Sequence, residues 1–191
     1  GKEEETAKKV AAYLKEMGCD QVIEHVGGHG VIGVIKGASE GGVVALRADM
    51  DALQIQEMNE TEYRSRNDGV MHACGHDNHM TGLLGAAKLL LERRDQIHGT
   101  VKLVFQPAEE LSPVGGSRGM LESGYLDDAK AVYGLHVWPD LPHGKVGVKA
   151  GPLMAATDHF TITIHGKTAH GAKPDQGIDA VVLGAQFVMA A

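Results

Sequence analysis

Apolar residues recur at Ala7, Val10, Ala11, Leu14 and Met17, the spacing of one helix face, with acids in the first turn and Gly18 just past the end. This predicts an amphipathic helix over 3–17 that covers one side of a sheet. "QVIEHV" and "VIGVIKG" read as strands joined around the turn "GGHG", and "VVALRADMD" as a third strand whose charges gather at its far end. From Asp77, a candidate N-cap, Met80, Leu83, Leu84, Ala87, Leu90 and Leu91 mark a second helix to about Arg94. "TVKLVFQ" is a buried strand that breaks at Pro107 and leads into Glu109 and Glu110. A glycine-rich loop, a short helix near "RGMLESG" and a buried strand "KAVYGLH" follow, the last ending in His136.

Strands alternating with helices predict an α/β domain with a mixed, mostly parallel sheet, its antiparallel pairs among the closely spaced early strands. Ligand crevices in open α/β sheets lie outside the carboxyl ends of the strands. Asp49 with Asp51, Glu109 with Glu110, and His136 all fall at such ends. Beyond "VGVKAGPLMAAT" the pattern changes. "DHFTITIHG" alternates as a half-exposed antiparallel strand, and Ile178, Val181, Val182, Ala185, Val188 and Met189 form a helical stripe. The division expected is a catalytic domain over 1–154 and the start of a smaller α+β domain over 155–191. The chain begins abruptly and stops inside an amphipathic pattern, so it reads as a fragment at both ends.

Composition changes this picture little. The formal charge of -7 and the absence of clustered Lys and Arg argue against nucleic acid. No run of eighteen apolar residues exists to span a membrane, and "GKEEETAKK" is a charged helix start rather than a signal peptide. Two cysteines, Cys19 and Cys74, make no disulfide framework, which suits a reducing, cytoplasmic compartment. The eleven histidines are the one oddity.

Three of those histidines stand in "VMHACGHDNHM" with Cys74 and Asp77. Cys74 and His76, two apart on one loop, can converge on zinc or a related metal; otherwise Cys74 is a small buried hydrophobe and the histidines are loop residues. Glu109 and Glu110, adjacent on extended backbone, would point to opposite sides, one towards a metal and one towards a water; the plainer reading makes them the acidic first turn of the next helix. Asp49 and Asp51 face the same way and can bind a hard cation or orient histidine ligands from behind, or simply end a strand. A rival chemistry makes Cys74 a nucleophile with His76 or His72 as base. Against it, such partners usually come from distant parts of a fold, and the acid pairs would have no task.

In order, "LRADMDAL", "MHACGHD", "LVFQPAEE", "GLHVWPDLPHG" and "GPLMAATDHFTITIHGKTAHGAKPDQGIDA" resemble the M20 metallopeptidase family, in particular its amidohydrolases: hippurate hydrolases, N-acyl-amino-acid amidohydrolases and auxin-conjugate hydrolases. The resemblance implies a metal-dependent hydrolase of N-acyl amino acids or small peptides, working as a homodimer or higher homo-oligomer with two divalent ions (Mn, Zn, Co or Ni) per site. It implies Cys74 as bridging ligand, with His76, Glu110 and His136 as further ligands. Glu109 corresponds to the catalytic carboxylate and Asp51 to the residue that supports the site from behind. Asp49 stands where other branches carry a metal-binding histidine. His170 matches a lid histidine lent across a dimer interface to the substrate carbonyl. Family members also carry a last histidine ligand near the C-terminus, which this chain ends before reaching, and a segment upstream of "GKEEET". A non-catalytic metal-binding or dimerisation module is the alternative of another class.

Overall fold

The computed structural model describes residues 1–111 and 115–191. They divide into two compact units, Gly1–Val148 and Lys149–Ala191.

The first unit is a five-stranded sheet with helices on its faces. Its strands are β1 (Gln21–Val26), β2 (Gly30–Lys36), β3 (Ser39–Asp49), β4 (His98–Gln106) and β5 (Ala129–Gly134), in the spatial order β1-β2-β4-β3-β5. The first three, joined by short turns, leave β1 and β2 antiparallel, and β2 antiparallel to β4. β3 is parallel to both β4 and β5, because helices α2 (His76–Glu92) and α3 (Gly116–Glu122) occupy the two crossovers. The mixed sheet is the one the strand and helix pattern predicts. The expected glycine-rich loop after Glu110 lies partly outside the described residues.

Period-two alternation sorts the strand residues between two cores. Val31 and Ile35 of β2 and Leu103 and Phe105 of β4 face α1 (Glu4–Met17) and α2, and pack with Leu14, Ala11, Met80, Leu83 and Ala87. Ile32, Val34, Ala45 and Val104 face the other way, onto Met120 of α3. Leu14, Ile32, Ile35, Leu103 and Phe105 lose nearly all exposure, each contributing about 1.5–3 kcal/mol by burial. α1 ends where Gly18 takes φ 86 and its N–H closes on the Lys15 carbonyl, a left-handed cap that glycine adopts without penalty.

Two expectations are corrected. Asp77 is not the N-cap of α2: Gly75 holds that place with φ 87, His76 is already helical, and Asp77 falls in the first turn, where its charge suits the helix dipole. β5 ends at Gly134, two residues short of His136, so His136 sits on the segment that leaves the strand.

In the second unit α4 (Ala180–Ala190) is capped by Asp179, which accepts hydrogen bonds from the Val181 and Val182 amides. Lys167 and Ile178 form an isolated antiparallel bridge. The alternating stretch 158–166 forms no ladder. Alternation prepares a strand but cannot supply a partner, and among the described residues nothing pairs with it. No described helix is long and apolar enough to cross a membrane.

Candidate metal centre

The parallel strands β3, β4 and β5 end on the same edge, and four chain segments meet there. β3 delivers Asp49 and, just past it, Asp51. The segment 52–75 then crosses the edge, tied by reciprocal backbone bonds between Leu53 and Met71, and delivers Cys74 and His76 at the start of α2. β4 delivers Gln106, Glu109 and Glu110, and the exit from β5 delivers His136.

His76 is the hub. Its side chain is 1% exposed. Nδ1 lies 3.2 Å from Asp51 Oδ1, and because a carboxylate can only accept, Nδ1 carries the proton. Nε2 then turns into a space where Asp49 Oδ2, Glu110 Oε1 and Glu109 Oε2 lie 3.6, 3.8 and 3.9 Å away, and it has no hydrogen-bond partner. A buried nitrogen facing three carboxylate oxygens is stable only with positive charge between them, a proton or a metal ion. The basicity of the ring reflects this: burial pulls it down, but the bond to Asp51 and the charges of Asp49, Asp51 and Glu109 outweigh burial and raise it. Asp51 also accepts the Glu110 amide on Oδ2 at 2.8 Å, so one carboxylate orients both His76 and the Glu110 backbone.

Cys74 completes the space, with Sγ 3.4 Å from His136 Nε2. Burial first, then Glu110, Glu109 and Asp49, push the Cys74 thiol up to about 12. A thiol so placed is a poor nucleophile at neutral pH, whereas a bound cation reverses the effect and favours thiolate. Among the described residues three groups could each hold a metal ion, Cys74 with His76 and His136, His76 with Glu109 and Glu110, and Asp49 with His76 and His79, their ligand atoms lying within 4.8 Å of one another in each group. The donor set is sulfur, imidazole and carboxylate around an unpartnered buried nitrogen, which fits a transition-metal centre.

Glu109 and Glu110 do not point to opposite sides of an extended strand. Ala108 takes φ 52, which turns the chain so that both carboxylates lie within 4 Å of His76 Nε2. Nor do they open the next helix, since α3 begins at Gly116. Burial, Glu110 and Asp49 raise the Glu109 carboxyl above the ordinary glutamate range, the direction that suits a proton acceptor. His170 belongs to the second unit, where it is exposed and its Nδ1 accepts the Ala172 amide at 3.2 Å.

Asp49 is occupied on both oxygens. Oδ1 lies 2.6 Å from His79 Nδ1, and Oδ2 accepts Arg47 Nη1–H at 2.7 Å. No sequence motif assigns His79 a role, yet it is buried beside the centre. The signal was there, since His76 and His79 are three apart and so share a helix face.

Burial pushes the Asp49 and Asp51 carboxyls up, but their bonds to His79 and His76, with Arg47 and the backbone amides, bring both below the ordinary value of 3.8. A lowered folded value stabilises the fold fully above 3.8, and that stabilisation is lost as pH falls through the folded values. Metal-free protein is therefore expected to lose stability on acidification below about 3.8, and the Asp49→Asn/Asp51→Asn variant to show a flatter profile there. Denaturant midpoints measured against pH check this; parallel curves for the two proteins would refute it.

Beside Asp51 and Glu110 opens a cleft of about 1040 Å³, lined also by Gln54, Tyr63, Asn67, His72 and Asn78. This is room for a small-molecule substrate with several polar groups.

Comparison with known proteins agrees with this geometry. Residues 45–187 match the model of peptidase family M20/M25/M40. An N-acyl-L-amino acid amidohydrolase of Geobacillus stearothermophilus is 53% identical over 152 residues, 80% of this chain and 41% of its own length. An N-acetylcysteine deacetylase of Bacillus subtilis is 45% identical over 97% of this chain and 48% of its own length. The crystal structure of a dinuclear metal binding peptidase of the M20 family from Bacillus subtilis superposes with a TM-score of 0.75 at 47% identity, over 79% of this chain and 42% of that one. This chain thus spans about half the length of the curated relatives it matches. On the match over residues 45–187, the chain belongs to peptidase family M20/M25/M40.

Proposed function

We propose that this chain carries a large part of the centre of a metal-dependent amidohydrolase that cleaves the amide bond of N-acyl amino acids or small peptides. The observation that carries the reading is His76 Nε2, buried, unpartnered and ringed by three carboxylates with Cys74 and His136 alongside. Cys74, His76, Glu110 and His136 would hold two divalent ions of the Mn, Zn, Co or Ni type. Bound there, such ions supply Lewis acidity and acidify water.

The residues of this chain do the rest. Glu109, its carboxyl raised, takes a proton from the attacking water and passes it to the amine nitrogen as the C–N bond breaks. Asp51 keeps His76 in the Nδ1–H tautomer and steadies the Glu110 backbone. His170 stabilises the charge that develops on the carbonyl oxygen, lent by the neighbouring subunit of a homodimer. The activities for which the two curated relatives are named, N-acyl-L-amino acid amidohydrolase and N-acetylcysteine deacetylase, support N-acyl amino acids as the substrate class. Both cysteines are free, and a site that needs the Cys74 thiolate suits a reducing cytoplasm.

The test uses the full-length protein. Chelation is expected to abolish hydrolysis of a panel of N-acyl amino acids, and Mn, Co, Ni or Zn to restore it. Loss of activity to iodoacetamide in protein that contains no metal and resists chelation would instead establish Cys74 as a nucleophile. Metal binding without hydrolysis of any panel member would establish a non-catalytic module.

A further inference from the structure

His79 has no part in the chemistry above, yet it is 5% exposed and sits between two histidines of the centre. Its ring stacks on His76 at 5.4 Å and meets His136 edge-on at 4.6 Å. The Val137 amide lies 2.9 Å from its Nε2. A backbone N–H can only donate, so Nε2 carries the lone pair, and Nδ1 carries the proton that goes to Asp49 Oδ1. Asp49 is held in turn by Arg47, whose Nε–H is bound by Gln106 Oε1 at 2.8 Å. A chain of hydrogen bonds thus runs from the end of β4 to the backbone of Val137.

That endpoint matters because β5 has already stopped at Gly134 and His136 lies on exposed chain. Val137 is seated from a second side: a Cβ on Gly75 would come within 2.5 Å of its Cγ2. His136 Nδ1 is engaged by the Val137 carbonyl at 2.6 Å, which leaves its Nε2 facing Cys74 Sγ. We propose that His79 is a positioning residue whose Nδ1–H tautomer, set by Asp49, latches the Val137 amide and so holds His136 Nε2 against Cys74. Asp49, His76 and His79 also lie close enough to hold a cation, but both ring nitrogens of His79 and both oxygens of Asp49 are already bonded. His79 is therefore a support of the centre and not one of its ligands.

The proposal rests on reading His136 and Cys74 as ligands, and its test separates the two. In chelator-stripped full-length protein titrated with Zn or Mn in a calorimeter, His79→Leu is expected to weaken uptake by about 10- to 100-fold. His79→Gln, whose Oε1 can accept the same amide proton, is expected to recover most of it. Equal affinity in His79→Leu and wild type, or equal losses in both variants, would overturn the latch. A second measurement needs no variant. In the wild type the Val137 amide is expected to be protected from hydrogen exchange, and nitrogen chemical shifts to show His79 protonated on Nδ1 alone. An unprotected Val137 amide, or a His79 resonance that moves as a ligand does when metal is added, would overturn it. If wild type takes up no metal, the functional reading fails while exchange and tautomer still decide the latch.

Discussion

Replacing Glu109 with Gln is expected to lower the turnover number of the full-length protein by about 10²- to 10⁴-fold while leaving metal content unchanged. General base catalysis is worth about that much, and glutamine keeps the shape of glutamate but cannot take a proton. Metal content should survive because Cys74, His76, Glu110 and His136 are untouched, and Asp51 still holds His76 at 3.2 Å. The ordinary glutamate range would make Glu109 a weak base towards water. Its burial beside Glu110 and Asp49 raises its proton affinity, so the step it performs depends on its neighbours as much as on its own chemistry. The measurement is kcat beside metal analysis of the same preparation. A kcat within a factor of a few of wild type would remove Glu109 from its role, and loss of metal together with kcat would make it a ligand.

The second large effect falls on stability. Asp49→Ala is expected to destabilise the metal-stripped first unit by about 3–5 kcal/mol, the cost of breaking a buried ion pair from one side. Asp49 is 1% exposed and receives Arg47 on one oxygen and His79 on the other. Alanine would leave the Arg47 guanidinium, 26% exposed, short of its partner and would strip His79 of the group that sets its tautomer. Asp49→Asn keeps an acceptor for one of the two and should cost less. Urea unfolding of the chelated proteins gives both values. A loss under about 1 kcal/mol for Asp49→Ala, as for an exposed pair, would show that the network contributes little.

Asp49 illustrates what sequence reading could and could not reach. Its place at the end of an apolar strand points to a site, and the two-residue period puts it on one face with Asp51. Whether it would bind a cation or orient a histidine stayed open, because that depends on which donors the neighbouring strand and helix bring to each oxygen. Arg47 and His79 take them both. The spacing of His79 from His76 gives a shared helix face, but a face says nothing about what lies opposite it. The Glu109–Glu110 pair departs from expectation for a similar reason: extended backbone points neighbours to opposite sides, but the chain turns left-handed at Ala108, whose carbonyl accepts the Leu111 and Gly116 amides.

What the order of residues determined by itself was local and periodic: the helices and strands of the first unit, the burial faces of α1, α2, β2 and β4, the mixed sheet, and the strand ends at which chemistry would gather. These follow from hydrophobic spacing, because each element must bury its apolar face. β5, expected to be buried, is instead largely exposed, because its apolar run finds no covering layer among the described residues. The tertiary structure alone decided the rest: the sheet order that carries His136 to Cys74, the turn that aims two carboxylates at one nitrogen, and the bonds that make Asp49 and His79 supports. Those outcomes depend on contacts between residues 30 to 62 positions apart, and no local pattern encodes which of the available partners a buried polar atom will find.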